Sequence, residues 1–374
     1  MKNPIYIHDA ALISPLGASG FKSSKSYFCT QNGTLVGKID DSSEKQLQLL
    51  KEENSQYHKL DRSTLLAILV ARRLKLDTKD VAINIGSSRG ATGIWEDFHE
   101  EFLKTGTVPV QTSPLTTLGN VSSWVAQDLG TESTAFSHSI TCATAAHSVL
   151  NAIAWLESGM ATTFIAGGTE APLTDFTIAQ MKALRIYSQE KEGYQCRALD
   201  LEKTRNTMIL GEAAAAFVLS KESSKSGIKI SGYGTAMESL KSATSVSSDG
   251  LGFQKSMHDA MGNNSADSID AIITHAPGTI QGDSSEVSAI KEYFGNAYPR
   301  LCNNKWQIGH SLGASAAVNL YMAIDLLKYG KFHSIPYLDD SFVNPRGDER
   351  QANRILINAS GFGGNCVSIL VEKE

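Results

Sequence analysis

A chain of 374 residues, 41% hydrophobic and 20% charged, has enough apolar material for a full globular core. Its net charge of −5 excludes a bulk attraction to nucleic acid or anionic membrane, and no apolar run approaches the ~18 residues of a membrane span. His8 and Asp9 interrupt the first apolar stretch, which argues against a signal peptide, and five scattered cysteines without a C-x-x-C pair read as reduced thiols of a cytoplasm.

Residues 40–56 are polar and charged and read as a solvated helix or loop. Four apolar runs then end in Gly-rich turns: VAINIGSSRG (81–90), TTFIAGGTEA (162–171), AIITHAPGT (271–279) and ILINASGFGG (355–364). Such near-continuous runs are expected of strands buried on both faces. STAFSHSI, ending at Ile140, is a further strand-like run. Three- and four-residue apolar spacing predicts helices over Ala143–Met160 and Ser311–Tyr329. Alternating strand and helix makes the fold α/β. Cys142 and His310 each stand just before one of those helices, with Asn151 and Asn319 nine positions on, a weak internal repeat. SKESSKSG (220–227) is the natural seam, dividing the chain into 1–223 and 224–374, and SATSVSSDG (242–250) reads as a mobile loop.

A thiol at a helix N-terminus is favoured as thiolate, although a buried cysteine without further context is usually inert. Gly86-Ser-Ser88-Arg-Gly90 fits the serine-hydrolase pattern G-x-S-x-G, a short pattern that matches often by chance. No nucleotide-binding glycine motif is present, and no Cys/His cluster has metal-ligand spacing, so no metal is expected.

The context around Cys142 is specific. SITCATAAH (139–147) resembles the nucleophile segment of β-ketoacyl synthases. TTFIAGGTEAPLTDF (162–176) and CRALDLEKTRNTMILGEAAAAFVLS (196–220) resemble the stretches that follow it in that family. Likeness runs from about residue 81 to 372, and more loosely over SPLG (14–17). It implies a thiolase-like fold of two similar βα halves in α/β/α/β/α layers. It also implies an elongating synthase of Cys-His-His type, with Cys142 as nucleophile in the first half.

In the second half, Asp270-AIIT-His275-APGT-IQG-Asp283 places His275 on the family histidine, with Ala276 and Pro277 replacing the usual Gly-Thr. Thr279 keeps one of the two hydroxyls that resemble pantetheine contacts. Lys305-WQI-Gly309-His310-SLGA resembles the motif of the second catalytic histidine, and gives Lys305 an active-site role. At a helix N-terminus His310 should stay neutral. Asn319 stands where the family has Glu, which replaces a Lys–Glu pairing by a neutral contact. Asn358-ASG-Phe362-Gly363-Gly364 resembles the gate turn, in which the N–H groups of Phe362 and Cys142 form an oxyanion hole and the glycines admit substrate. Cys366, just beyond, is a candidate for a thiolase-like second cysteine.

The resemblance implies decarboxylative Claisen condensation of a Cys-bound acyl chain with malonyl-acyl carrier protein, in fatty-acid or polyketide synthesis. No cofactor is expected beyond the phosphopantetheine that carries the substrates. The expected partners are acyl carrier protein and a second subunit, giving a homodimer or a heterodimer with a related ketosynthase-like chain. The short region before residue 81, with Pro277, Trp306 and Asn319, points to a specialised type II pathway such as an aryl polyene. The alternative is a non-catalytic partner of chain-length-factor type, which usually lacks the cysteine present here.

Overall fold

The computed structural model describes residues 3–374 except 23, 77, 119, 240–245 and 348. Ten strands form its main sheet: β1 (Ile5–Ile13), β2 (Ala82–Gly86), β3 (Ala135–Phe136), β4 (Thr163–Glu170), β5 (Ala213–Ser220), β6 (Ile228–Met237), β7 (Ala271–Ile273), β8 (Arg300–Cys302), β9 (Arg354–Gly361) and β10 (Asn365–Lys373). Their order is β8-β7-β9-β10-β6-β1-β5-β4-β2-β3. This is one five-strand pattern used twice. Within β3-β2-β4-β5-β1, and again within β8-β7-β9-β10-β6, two parallel pairings are followed by two antiparallel ones. The halves meet at a short antiparallel contact, Ile5 opposite Ile230 and Tyr6 opposite Lys229. Residues 221–227 run from β5 to β6 and so from one half to the other.

The helices that matter for the site are α1 (Asp41–Glu53), α2 (Arg62–Arg72), α3 (Asn120–Leu129), α4 (Thr144–Ser158), α5 (Asp175–Ala183), α6 (Leu251–Met261), α7 (Ile280–Phe294) and α8 (Ser315–Tyr329). Helices α4 and α8 pack on each other between the halves. Strand periodicity shows why both faces must be covered. Ala213, Ala215, Phe217 and Leu219 of β5 join the central core with α4 and α8. Ala214, Ala216 and Val218 point the other way, into a core closed by α1, α2 and α3. Ile272, Leu356 and Leu370 do the same in the second half, beneath α6 and α7. The result is five layers, helices outside, sheet, helices, sheet, helices outside. Gly168 lets the central layer close, since a Cβ there would lie 2.7 Å from Ala145 Cβ and 3.1 Å from Gly313 O.

Several local expectations change. Residues 41–53 form a helix capped by Asp40, whose carboxylate accepts from Ser42 and Ser43 N–H. Leu47 and Leu50 bury one face of it, so it is amphipathic rather than wholly solvated. Only Ala135–Phe136 of STAFSHSI is strand. Of the run 242–250, residues 242–245 lie outside the described residues, and Gly250, in the left-handed region, precedes α6. Neither Cys142 nor His310 opens a helix directly. Helix α4 starts at Thr144, and α8 starts at Ser315 after a 3-10 turn over Leu312–Ala314.

Candidate active site

Cys142 is presented by a strained corner. Thr141 has φ of 47°, the left-handed region that a β-branched residue rarely enters. Three contacts hold it there. Its carbonyl accepts the Thr144 hydroxyl at 2.6 Å, the Ile140 N–H donates to that hydroxyl at 2.8 Å, and the Thr141 hydroxyl donates to Phe362 O at 2.9 Å. The last bond joins the nucleophile corner to the C-terminal turn. A Cβ on Gly361 would lie 2.1 Å from Thr141 Oγ1 and 3.0 Å from Cys142 N, so only glycine permits this approach.

His275 follows the end of β7 and is fixed through its backbone. Its N–H and that of Ala276 donate to the two oxygens of Glu286, at 2.9 and 2.7 Å. Asn358 on β9 donates to the same carboxylate at 3.1 Å. Nearby, Asp283 accepts from Gly278 N–H, Leu199 N–H and the buried Lys203 ammonium, which pins the Pro277–Thr279 segment. His310 is held by its N–H donating to Ile209 O at 2.7 Å. The two imidazoles meet edge to face, 5.3 Å between ring centres.

Cys142, His275 and His310 share the closed part of a cavity of about 310 Å³, with Thr279, Phe362 and Gly364 also on its wall. Thr279 Oγ1 accepts from Gly282 N–H as the cap of α7, which leaves its O–H free to donate outward. Gly363, with φ of 96°, shapes the turn without lining the cavity. Lys305 lies behind the wall rather than in it. It is 1% exposed, and its ammonium donates to Thr274 O at 3.5 Å. Asn319 donates to that same oxygen at 3.1 Å and accepts from Asn304 at 2.8 Å.

Burial dominates the electrostatics. It drives the His310 imidazole down to about 3, helped by the Lys305 charge. His275 is lowered well below its usual value by burial, His310 and Lys305. Both rings are therefore neutral at pH 7, with burial the leading cause and the neighbouring cation adding to it. The Cys142 thiol moves against expectation: burial, then Glu170, push it up to about 12, with Lys305 opposing. The thiol consequently rests protonated, and its proton must leave as it attacks. A neutral imidazole beside it can take that proton.

Two carboxylates are missing from the sequence reading. Glu286 holds the His275 backbone, as above. Glu170, at the end of β4, accepts from Ser87 Oγ and from the N–H groups of Ser88, Arg89 and Gly313. It thereby ties the turn after β2 to the turn after His310. Glu286 shares the buried side of α7 with Ile290, a helical spacing at which a charged residue stands out. Glu170 has no comparable local signal, since it follows Thr169 at the end of its strand and its partners are far away in sequence.

Two alternatives fall away. Ser88 spends its N–H on Glu170 and its carbonyl on Ser139, and does not line the cavity. Cys366 faces the outer core beneath α6, with its Sγ 3.6 Å from Ser360 Oγ, and is not on the cavity wall.

Comparison with known proteins gives the family. The model of the β-ketoacyl synthase N-terminal domain matches residues 19–225, and that of the C-terminal domain matches 228–338. The chain belongs to the β-ketoacyl synthase family. It is 27% identical over 351 residues to a 3-oxoacyl-[acyl-carrier-protein] synthase 2 of Staphylococcus aureus strain N315, covering 86% of this chain and 84% of the relative. In fold it resembles the AntDE:AntF complex of a type II polyketide acyl-carrier protein with its ketosynthase, with a TM-score of 0.84 at 18% identity and full coverage of both chains. It also resembles a ketosynthase (ApeO) in complex with its chain length factor (ApeC) from Xenorhabdus doucetiae. There the TM-score is 0.79 at 19% identity, covering 100% of this chain and 98% of the other. Among the described residues no helix is long and apolar enough to cross a membrane.

Proposed function

We propose that the protein catalyses decarboxylative condensation of an acyl chain held on Cys142 with a malonyl unit, both delivered on the phosphopantetheine arm of acyl carrier protein. The observation that carries this is the convergence of one thiol and two neutral imidazoles at the closed end of one cavity. The labour is divided between 1–223, which holds Cys142, and 224–374, which holds His275, His310 and Phe362.

In the first step the Cys142 sulfur attacks the acyl thioester. Its proton passes to an imidazole and then to the departing carrier thiolate, which leaves as free thiol. In the second step malonyl thioester loses CO2, and the resulting enolate oxygen is stabilised by N–H groups of His275 and His310. The enolate carbon attacks the Cys142 thioester, and the oxyanion so formed is met by the N–H groups of Cys142 and Phe362. Collapse releases the Cys142 thiolate, which takes up one proton from solvent, and the β-ketoacyl chain stays on the carrier. Burial, reinforced by the Lys305 charge, keeps both imidazoles neutral and ready to donate. Thr279 and Gly364 contact the arm at the open end. The protein works in the cytoplasm as a dimer with itself or with a related subunit.

The test is intact-mass detection of an acyl adduct on purified protein given acyl carrier protein thioesters, followed by product analysis with malonyl carrier. An adduct lost in Cys142→Ala, and condensation that requires Cys142, is the expected result. A chain that takes up no acyl group would instead be a non-catalytic partner of chain-length-factor type.

A further inference from the structure

We infer that the chain held on Cys142 is a hydrocarbon chain, saturated or polyene, and not a poly-β-ketone. This rests on the reading of Cys142 as the acyl carrier. The cavity changes character with depth. Apart from the two buried histidines, its polar side chains, Asn206, Glu238, Thr279, Gln281 and Ser360, are partly or fully exposed and mark the open end. Around Cys142 the wall is instead formed by buried Met181, Met208 and Leu312, with Ile186 beside them.

Behind that wall the same apolar cluster continues through Val36, Ile178, Tyr187 and Leu210. The polar atom it contains is already engaged: Tyr187 Oη donates to Leu35 O at 2.6 Å and accepts from Leu210 N–H at 3.4 Å. Among the described lining residues, the side-chain hydrogen-bond donors at the closed end are therefore the imidazoles of His275 and His310, which belong to the reacting carbonyl.

A chain lying against this wall finds no donor for a carbonyl placed along its length. Each ketone buried there loses its hydrogen bonds to water, a penalty of roughly ten- to a hundredfold. Each methylene buried gains about fourfold. The two methionines suit a hydrocarbon further, because unbranched thioether side chains adjust to a bent or unsaturated chain without exposing a polar atom.

The experiment compares rates of Cys142 acylation, read by intact mass, from the N-acetylcysteamine thioesters of octanoate and 7-oxo-octanoate. These match in chain length and differ by one carbonyl at a poly-β-ketone position. Octanoyl transfer is expected to be roughly ten- to a hundredfold faster. Equal rates, or a faster oxo chain, would overturn the inference. Met181→Gln, nearly isosteric, puts an amide donor on the wall and should reduce the ratio by at least about threefold, with folding checked by circular dichroism. A ratio that this variant leaves unmoved would overturn the assignment of the preference to this wall. No Cys142 adduct from either thioester would overturn the acyl-carrier reading itself.

Discussion

Lys305 and Asn319 converge on a single acceptor, the carbonyl oxygen of Thr274, which stands immediately before His275. Among the described residues no carboxylate lies within ion-pair distance of Lys305, although Glu286 and Asp283 act on it from further away. A buried lysine so placed holds its proton weakly. Burial brings Lys305 down to about 8, against the pull of Glu286, Asp283, Cys196 and Cys142. The amide of Asn319 thus leaves the cation next to both imidazoles able to titrate near working pH.

Asn319→Glu should change that. A carboxylate at 319 raises the Lys305 pKa, so the ammonium persists to higher pH. In the native protein, condensation should change near pH 8 as Lys305 loses its charge. That limb lies above the range near 7 in which the buried Glu170 and Glu286 carboxyls titrate, and neither histidine contributes to it. In the variant that alkaline limb should move up by about one unit or more. The added negative charge also opposes thiolate, so the midpoint of Cys142 alkylation by iodoacetamide should rise. Superimposable pH profiles of rate and of alkylation in the two proteins would show position 319 to be electrically remote.

His275→Ala and His310→Ala should each slow malonyl decarboxylation by roughly 10²–10³, the usual loss on removing one donor to a developing oxyanion. Each should still accept an acyl group on Cys142, more slowly, because one imidazole remains to receive the thiol proton. Release of CO2 from labelled malonyl carrier at the native rate would make that histidine a packing residue.

Glu170→Gln tests a device that touches no substrate. Four donors converge on this carboxylate, and an amide can satisfy them only in part. Denaturant unfolding should show a loss of about 1–3 kcal/mol. Because Gly313 N–H is one of the four donors, the His310 loop should loosen as well. The turnover number should then fall more than the Michaelis constant rises. A purely structural role would lower stability with turnover per folded molecule unchanged.

Gly361→Ala should disable the site from the opposite strand. The new methyl would lie 2.1 Å from Thr141 Oγ1, forcing apart the corner that presents Cys142 and the turn that carries Phe362. Acylation of Cys142 should drop by at least about tenfold, the scale of a misplaced reacting group. Thr141→Val removes the hydroxyl bond to Phe362 O without the clash, and should cost less. Equal effects in the two would mean that the hydrogen bond, rather than the close approach, sets the geometry.

Local sequence determined a good deal of this. Apolar runs that stop at glycine reported β2, β4, β7 and β9, because a strand buried on both faces has no polar alternation to obscure its ends. The motifs around Cys142, His275 and His310 pointed to one site through their resemblance, in order, to the corresponding segments of β-ketoacyl synthases. Other features were decided by residues far apart in the chain. Glu170 holds Ser88 and Gly313, 82 and 143 positions away, and nothing local announces a carboxylate that serves distant backbone N–H groups. The charge states were equally out of reach. A cysteine and a histidine placed just before helices suggested thiolate and a dipole-shifted ring, whereas enclosure between two halves gives a protonated thiol and rings kept neutral by desolvation and Lys305. The cost of removing a charge from water depends on what closes over it, and here that cover is built by both halves of the fold.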